Sequence, residues 1–79
     1  YPNPFNPQTT IEFAIENPGH VKLQIYDVLG RSVKTLVDEN RPAGNYKVNF
    51  TGSDLPTGTY LYQLQVGDNI MNKQMIILK

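Results

Sequence analysis

Several features that mark common protein classes are missing from this 79-residue chain. There is no cysteine, and one histidine with scattered carboxylates forms no zinc-type cluster, so apolar packing and sheet hydrogen bonds must hold the core. Lys and Arg number 7 and Asp and Glu also number 7, which leaves no basic footprint for nucleic acid. No apolar run approaches the roughly 20 residues that span a bilayer. The sequence therefore predicts no cofactor or metal, no nucleic-acid partner and no transmembrane segment.

The first seven residues, YPNPFNP, contain three of the six prolines. Proline fixes φ, lacks an N–H and moves the preceding residue away from helical geometry, so residues 1–7 are predicted to form a stiff, extended lead-in. The chain does not begin with methionine, and we expect it to be one module of a longer protein. Residues 1–79 are predicted to form a single domain.

The rest of the chain alternates between apolar and polar residues in short stretches. The first two stretches, TTIEFAI and HVKLQIY, are predicted to pair as a hairpin through the turn at residues 17–20, with Tyr26 facing outward. DVLG at residues 27–30 predicts a tight turn. In the following strand, alternation fails at Val33, Leu36 and Val37, which indicates a β-bulge or an edge strand. The inward-facing residues of the first two stretches are predicted to be Ile11, Phe13, Ile15, Val21, Leu23 and Ile25.

Two later segments, PAGNYKVNF and PTGTYLYQL, share a Pro-x-Gly-x-Tyr pattern, and each reads as a turn that leads into a strand. A turn at residues 67–69 precedes a final strand that is apolar on both faces near its end. No segment has helical periodicity. Six or seven short strands at roughly ten-residue spacing predict an all-β fold, a small antiparallel immunoglobulin-like β-sandwich of about seven strands.

Candidate chemical sites are weak in this sequence. His20 lies in a predicted turn with no nucleophile or second titratable group placed near it, so we expect a structural role. The tyrosines offer an aromatic platform for sugar as an alternative, but alternation places most of them on the apolar face. The four turn carboxylates show no calcium-loop spacing and are interpreted as turn formers, namely Asp38, Glu39, Asp54 and Asp68. The sequence therefore predicts no enzyme.

The final strand allows two interpretations. An apolar edge strand is a surface to which a partner adds a strand of its own. Alternatively, the strand pairs within the sheet of its own domain.

Five blocks of the sequence together carry a family resemblance: YPNPFNPQTTIEF, HVKLQIYDVLGRSVKTL, PAGNYKVNF, LPTGTYLYQL and NKQMIILK. In this order and spacing they resemble the C-terminal sorting domain (type A) of the bacterial type IX secretion system. They are also similar to sequences described as flagellar hook-capping-protein-like immunoglobulin domains. The resemblance covers essentially the whole chain.

The resemblance implies a non-catalytic sorting and anchoring domain that directs a covalently linked cargo protein through the periplasm and outer membrane to the cell surface or medium. Its implied partners are the outer-membrane secretion machinery and a sortase-like peptidase. An accessory module that binds carbohydrate, or a structural linker in a secreted enzyme, is the alternative. The motif positions that the resemblance singles out are Pro2, Asn3, Pro4, Gly58, Tyr60, Lys73 and Lys79.

Overall fold

The computed structural model describes residues 8–52 and 55–78 of the chain. Within these residues the chain forms six β-strands and no helix, as the short alternating stretches predict. The predicted lead-in and Asp54 lie outside the described residues. The strands are β1 (Gln8–Ile15), β2 (Gly19–Tyr26), β3 (Ser32–Arg41), β4 (Gly44–Thr51), β5 (Gly58–Val66) and β6 (Asn69–Ile77).

The strands form two antiparallel sheets, a pair in the order β1-β4 and a four-stranded sheet in the order β3-β2-β5-β6. The all-β prediction is therefore confirmed. The prediction of about seven strands is wrong for the described part of the chain, which contains six. The finer assignment to an immunoglobulin-like sandwich stays a prediction.

β1 and β2 do not form the predicted hairpin. β1 pairs with β4, from Gln8 opposite Thr51 to Ile15 opposite Gly44, whereas β2 lies between β3 and β5. Residues 16–18 therefore carry the chain from one sheet to the other. The prediction was wrong because alternation shows which face of a strand is apolar and does not show which strand it pairs with.

The core lies between the two sheets, where their apolar faces meet. The β2 side chains predicted to face inward are 0% exposed. Leu55, in the link between β4 and β5, is buried and completes one end of this core. One buried cluster contains Ile11, Ile15, Val21, Leu23, Val37 and Leu64, and a second contains Ile25, Phe50, Leu55, Tyr60 and Ile77.

β3 is an edge strand of the four-stranded sheet and is irregular at two points. Its pairing with β2 skips Leu36 at one register shift and Val33 at the other. An extra residue on one strand defines a β-bulge, which displaces the alternation of the residues that follow. Both the bulge and the edge position predicted for this segment are confirmed.

β6 pairs with β5, from Gly58 opposite Ile77 to Val66 opposite Asn69, and is the other edge of the same sheet. Gly67 turns the hairpin with a φ of 59°, a left-handed conformation that glycine adopts at little cost. The final strand therefore pairs within its own domain, as one interpretation predicts. It has no strand on its other side among the described residues.

Candidate recognition surface

Three of the motif positions fall within the described residues, and all three lie on the β5–β6 hairpin. Gly58 begins β5, Tyr60 follows two residues later on the buried face, and Lys73 lies exposed on β6 opposite Tyr62. Pro2, Asn3, Pro4 and Lys79 lie outside the described residues. The structure thus brings Gly58 and Tyr60 together, and it places Lys73 farther along the hairpin.

Tyr60 closes the turn that precedes β5. Its hydroxyl donates a 2.6 Å hydrogen bond to the carbonyl oxygen of Pro56, while its ring is 6% exposed and packs in the second core cluster. A buried tyrosine needs a partner for its hydroxyl, and this turn supplies one. A Cβ atom at Gly58 would meet the Tyr60 ring at 3.7 Å, an ordinary van der Waals contact. Space alone therefore does not require glycine at position 58.

The same closure occurs before β4, so the repeated Pro-x-Gly-x-Tyr pattern has one structural meaning. The hydroxyl of Tyr46 donates a 2.5 Å hydrogen bond to the carbonyl oxygen of Pro42. The Tyr46 ring stacks on Phe13 with centroids 5.5 Å apart, and the Arg41 guanidinium lies 4.9 Å from its centroid. In both repeats, the hydroxyl of a tyrosine on the core face donates to the carbonyl oxygen of the proline four residues earlier, and this hydrogen bond closes the turn.

The tyrosines do not form an exposed platform in the described residues. Tyr60 is buried, and Tyr46 and Tyr62 are half-buried against the core, as alternation predicts. Tyr26 is also half-buried, and its hydroxyl donates to Gln24 Oε1 at 2.5 Å. Its register opposite Leu61 places it on the outer face of the four-stranded sheet, as predicted.

His20, Asp38 and Glu39 do not lie in turns, and this part of the sequence interpretation is wrong. His20 is the second residue of β2, and both acidic residues lie within β3. His20 Nε2 is 2.6 Å from an Asp38 carboxylate oxygen, and Nδ1 is 3.1 Å from Asn40 Oδ1. Both ring nitrogens therefore have partners on β3, and this exposed contact links β2 to β3. Sequence reasoning missed it because the β2–β3 register was not known.

Asp27 stabilises the turn between β2 and β3 through hydrogen bonds. Its carboxylate accepts hydrogen bonds from the backbone N–H groups of Leu29 and Arg31 and from Arg31 Nε, at 2.8–3.0 Å. The Arg31 backbone N–H, assisted by its guanidinium and by the Leu29 N–H, lowers the pKa of Asp27 below its ordinary value of 3.8. Gly30, with a φ of 82°, completes the turn. The predicted DVLG turn is confirmed.

This turn displays two apolar side chains, Val28 and Leu29, which are each 74% exposed. The end of β2 lies beside the start of β5, which lies beside the end of β6. The turn therefore occupies the same end of the sheet as three further exposed apolar residues. We call this set the apolar end, and it consists of Val28, Leu29, Leu61, Ile76 and Leu78.

Exposed apolar residues grouped at one place mark interaction surfaces, whereas isolated ones need no explanation. Ile76 and Leu61 lie on the outer face of adjacent strands, diagonal to each other across the Leu61–Gln74 pair.

In the described residues, no group of three or more histidine, cysteine or acidic side chains could hold a metal ion. The arrangement fits binding to a protein surface.

The family model described as a secretion system C-terminal sorting domain matches residues 1–78 of the chain. The chain belongs to this family. A family of this kind serves as a C-terminal sorting signal for type IX secretion and is generally non-catalytic, which implies a linked cargo protein and export to the cell surface or medium. Neither the curated proteins nor the solved structures contain a match. The described residues include no helix long and apolar enough to cross a membrane.

Proposed function

We propose that this sorting domain directs a covalently linked cargo protein across the outer membrane by presenting its apolar end to the secretion machinery. The match of the family model over residues 1–78 carries the sorting function in this proposal. A sortase-like peptidase then separates cargo from domain, at a bond in or before the segment that precedes β1. The protein itself supplies a folded recognition surface, and its partners supply the chemistry.

The structure supports the apolar end as the contact surface in two ways. The Asp27 hydrogen bonds hold Val28 and Leu29 in a fixed turn, so little conformational entropy is lost when a partner covers them. Ile76 and Leu78 lie at the end of an edge strand that has no neighbour on its outer side in the described part of the chain, so a partner there meets both side chains and the backbone edge. Pro2, Asn3, Pro4 and Lys79 remain proposed motif positions.

Export of a reporter protein fused ahead of Tyr1 tests the proposal in a bacterium with a working type IX system. We expect the intact fusion in the medium or on the surface, and a fusion truncated before Asn72 in the periplasm. Truncation also removes most of β6, so point variants are needed. Ile76→Glu is expected to reduce export strongly, whereas Asn72→Asp, on the same face of the same strand but farther from the apolar end, is expected to export normally.

Circular dichroism of the purified variants separates recognition from folding. Ile76 is 65% exposed, so its replacement should leave the fold intact. Normal export of a folded Ile76→Glu protein would show that the apolar end is not the contact surface. Retention of the intact fusion would contradict the sorting function itself.

A further inference from the structure

A cleft of about 770 Å³ lies between β1 and the β5–β6 hairpin, at the end of the molecule opposite the apolar end. It runs along residues 12–19 on one side and residues 66–71 on the other. Phe13, Leu64, Val66 and Met71 supply apolar surface to it. None of these residues belongs to the apolar end, so this cleft is a second surface and does not depend on the function proposed above.

The cleft exists because a two-stranded sheet faces a four-stranded one. Leu64 and Met71 are directly opposite each other in the β5–β6 pair and therefore point to the same, inner face. Leu64 is only 6% exposed, whereas Met71 is 64% exposed. Farther along the inner face of β6, Ile77 is 3% exposed. The inner face is thus covered at one end of β6 and left open at the other.

β1 forms one wall of the cleft, and its outer edge is available for pairing. Among the described residues, β1 pairs only with β4, which lies on its other side. At the cleft end of the molecule, Arg41 lies over the ring of Tyr46, so the first part of β4 lies toward β3 and away from the open part of β6. A strand added to β1 would lie about 4.8 Å from it and would extend the two-stranded sheet toward the open part of β6.

The charge of the cleft specifies the sequence of such a strand. Among residues 8–52 and 55–78, its lining contains three carboxylates, Glu12, Glu16 and Asp68, and no lysine or arginine. Lys73 lies two residues from Met71 on the inner face but is not part of the lining. Along β1, exposed Glu12 points away from the core and the next residue, Phe13, points toward it. A strand beside β1 therefore meets a carboxylate on one face and apolar surface on the other.

We propose that this cleft binds an extended peptide segment of a protein partner in which Lys or Arg alternates with apolar residues. The peptide adds a strand to the outer edge of β1. Its apolar side chains cover Phe13 and Met71, and its cations lie beside Glu12 and near Glu16 and Asp68. Backbone hydrogen bonds supply general affinity, and the two rows of side chains supply selectivity.

A blocked seven-residue peptide, Lys-Val-Lys-Val-Lys-Val-Lys, is the probe for this site. Titration into the 79-residue chain, followed by NMR of backbone amides and by calorimetry, should perturb residues 12–16 and 68–71. The corresponding Glu-Val peptide should bind at least tenfold more weakly. Two further Lys-Val peptides carry N-methyl groups, one on the amides of its lysines and the other on the amides of its valines. In an extended peptide these two sets of N–H groups point to opposite edges, and only one edge pairs with β1. One methylated peptide should therefore lose binding, and the other should keep it.

Two matched pairs of variants locate the site. Met71→Lys should abolish binding, whereas Ile76→Lys, equally exposed on the outer face of the same strand, should not change it. Glu12→Gln should weaken binding roughly two- to fivefold, the range of an exposed ion pair, and Glu39→Gln on β3 should not.

Equal binding of the Lys-Val and Glu-Val peptides, or no binding of either, would overturn the proposal. The same applies if Ile76→Lys and Met71→Lys have equal effects. Concentration-dependent dimerisation that perturbs the β1 edge and excludes the peptide would also overturn it, because a second copy of the chain would then be the occupant.

Discussion

Gly52 is the position at which the structure makes its sharpest stability prediction. It follows β4 directly, is buried, and accepts a 3.0 Å hydrogen bond from the Leu55 backbone N–H. A Cβ atom at this position would lie 2.8 Å from Ile77 Cδ1 and 3.3 Å from Ile77 Cγ1 and Cγ2. The Gly52→Ala methyl group therefore has no room unless Ile77 moves.

Movement of Ile77 is costly because this side chain is 3% exposed and packs among Phe50, Leu55 and Tyr60. Overpacking of a core by one methyl group typically costs about 1–3 kcal/mol. Loss of glycine flexibility in the unfolded chain offsets up to roughly 1 kcal/mol of this. We expect Gly52→Ala to lower the free energy of unfolding by about 1.5 kcal/mol, which corresponds to roughly 6–12 °C in Tm for a domain of this size.

Urea and thermal unfolding measure this effect, and Gly19→Ala is its control. A Cβ atom at Gly19 would meet only the Asn17 carbonyl oxygen, at 4.0 Å, so that variant should be neutral or stabilised by up to about 1 kcal/mol. Ile77→Val removes Cδ1, the atom in closest conflict with residue 52, at a cost of about 0.5–1.5 kcal/mol in the original chain. In the Gly52→Ala background, the same change should cost less or become favourable.

The double-mutant cycle decides whether steric conflict with Ile77 is the cause. A coupling of about 0.5 kcal/mol or more, in the direction of rescue, supports it. Strictly additive effects, or a Gly52→Ala protein as stable as the original, would refute the reasoning. Because this contact fixes the end of β6, its loss should also loosen Ile76 at the apolar end.

Three further changes test single interactions. Tyr60→Phe should lower the free energy of unfolding by roughly 0.5–1.5 kcal/mol in urea, and more than Tyr46→Phe, because the Tyr60 hydrogen bond is less exposed. The lowered pKa of Asp27 stabilises the fold above pH 3.8, and this contribution disappears as pH falls through the folded-state pKa. The Tm difference between the original chain and Asp27→Asn should therefore shrink in acid. Gly67→Ala, at a φ of 59°, should cost roughly 1–2 kcal/mol by thermal unfolding.

The sequence predicted the features that depend on neighbouring residues. Alternation identified the buried face of β2, and Asp27 with Gly30 identified the turn after it. The repeated Pro-x-Gly-x-Tyr pattern identified two turn-to-strand junctions, which the two tyrosine hydrogen bonds explain. Each of these features is set within a few residues, where propensity and side-chain hydrogen bonds decide the conformation.

Features that depend on strand pairing could not be predicted from the sequence. β1 pairs with β4 rather than β2, and His20 contacts Asp38 because of the β2–β3 register. A period of two assigns side chains to faces and leaves the order of the strands open. For the same reason, the sequence did not predict the close contact of Gly52 with Ile77, which are 25 positions apart along the chain but adjacent in space.

The two candidate surfaces follow from the same imbalance of strands between the layers. Met71 and Ile77 have equivalent positions in the alternation of β6, yet one is exposed and the other is buried, because only one end of β6 is covered. The uncovered part faces β1, whereas the apolar end projects from the opposite end and the outer face of the sheet. A partner at the apolar end therefore leaves the cleft accessible, and we expect the Lys-Val peptide to bind equally well to Ile76→Glu and to the original chain.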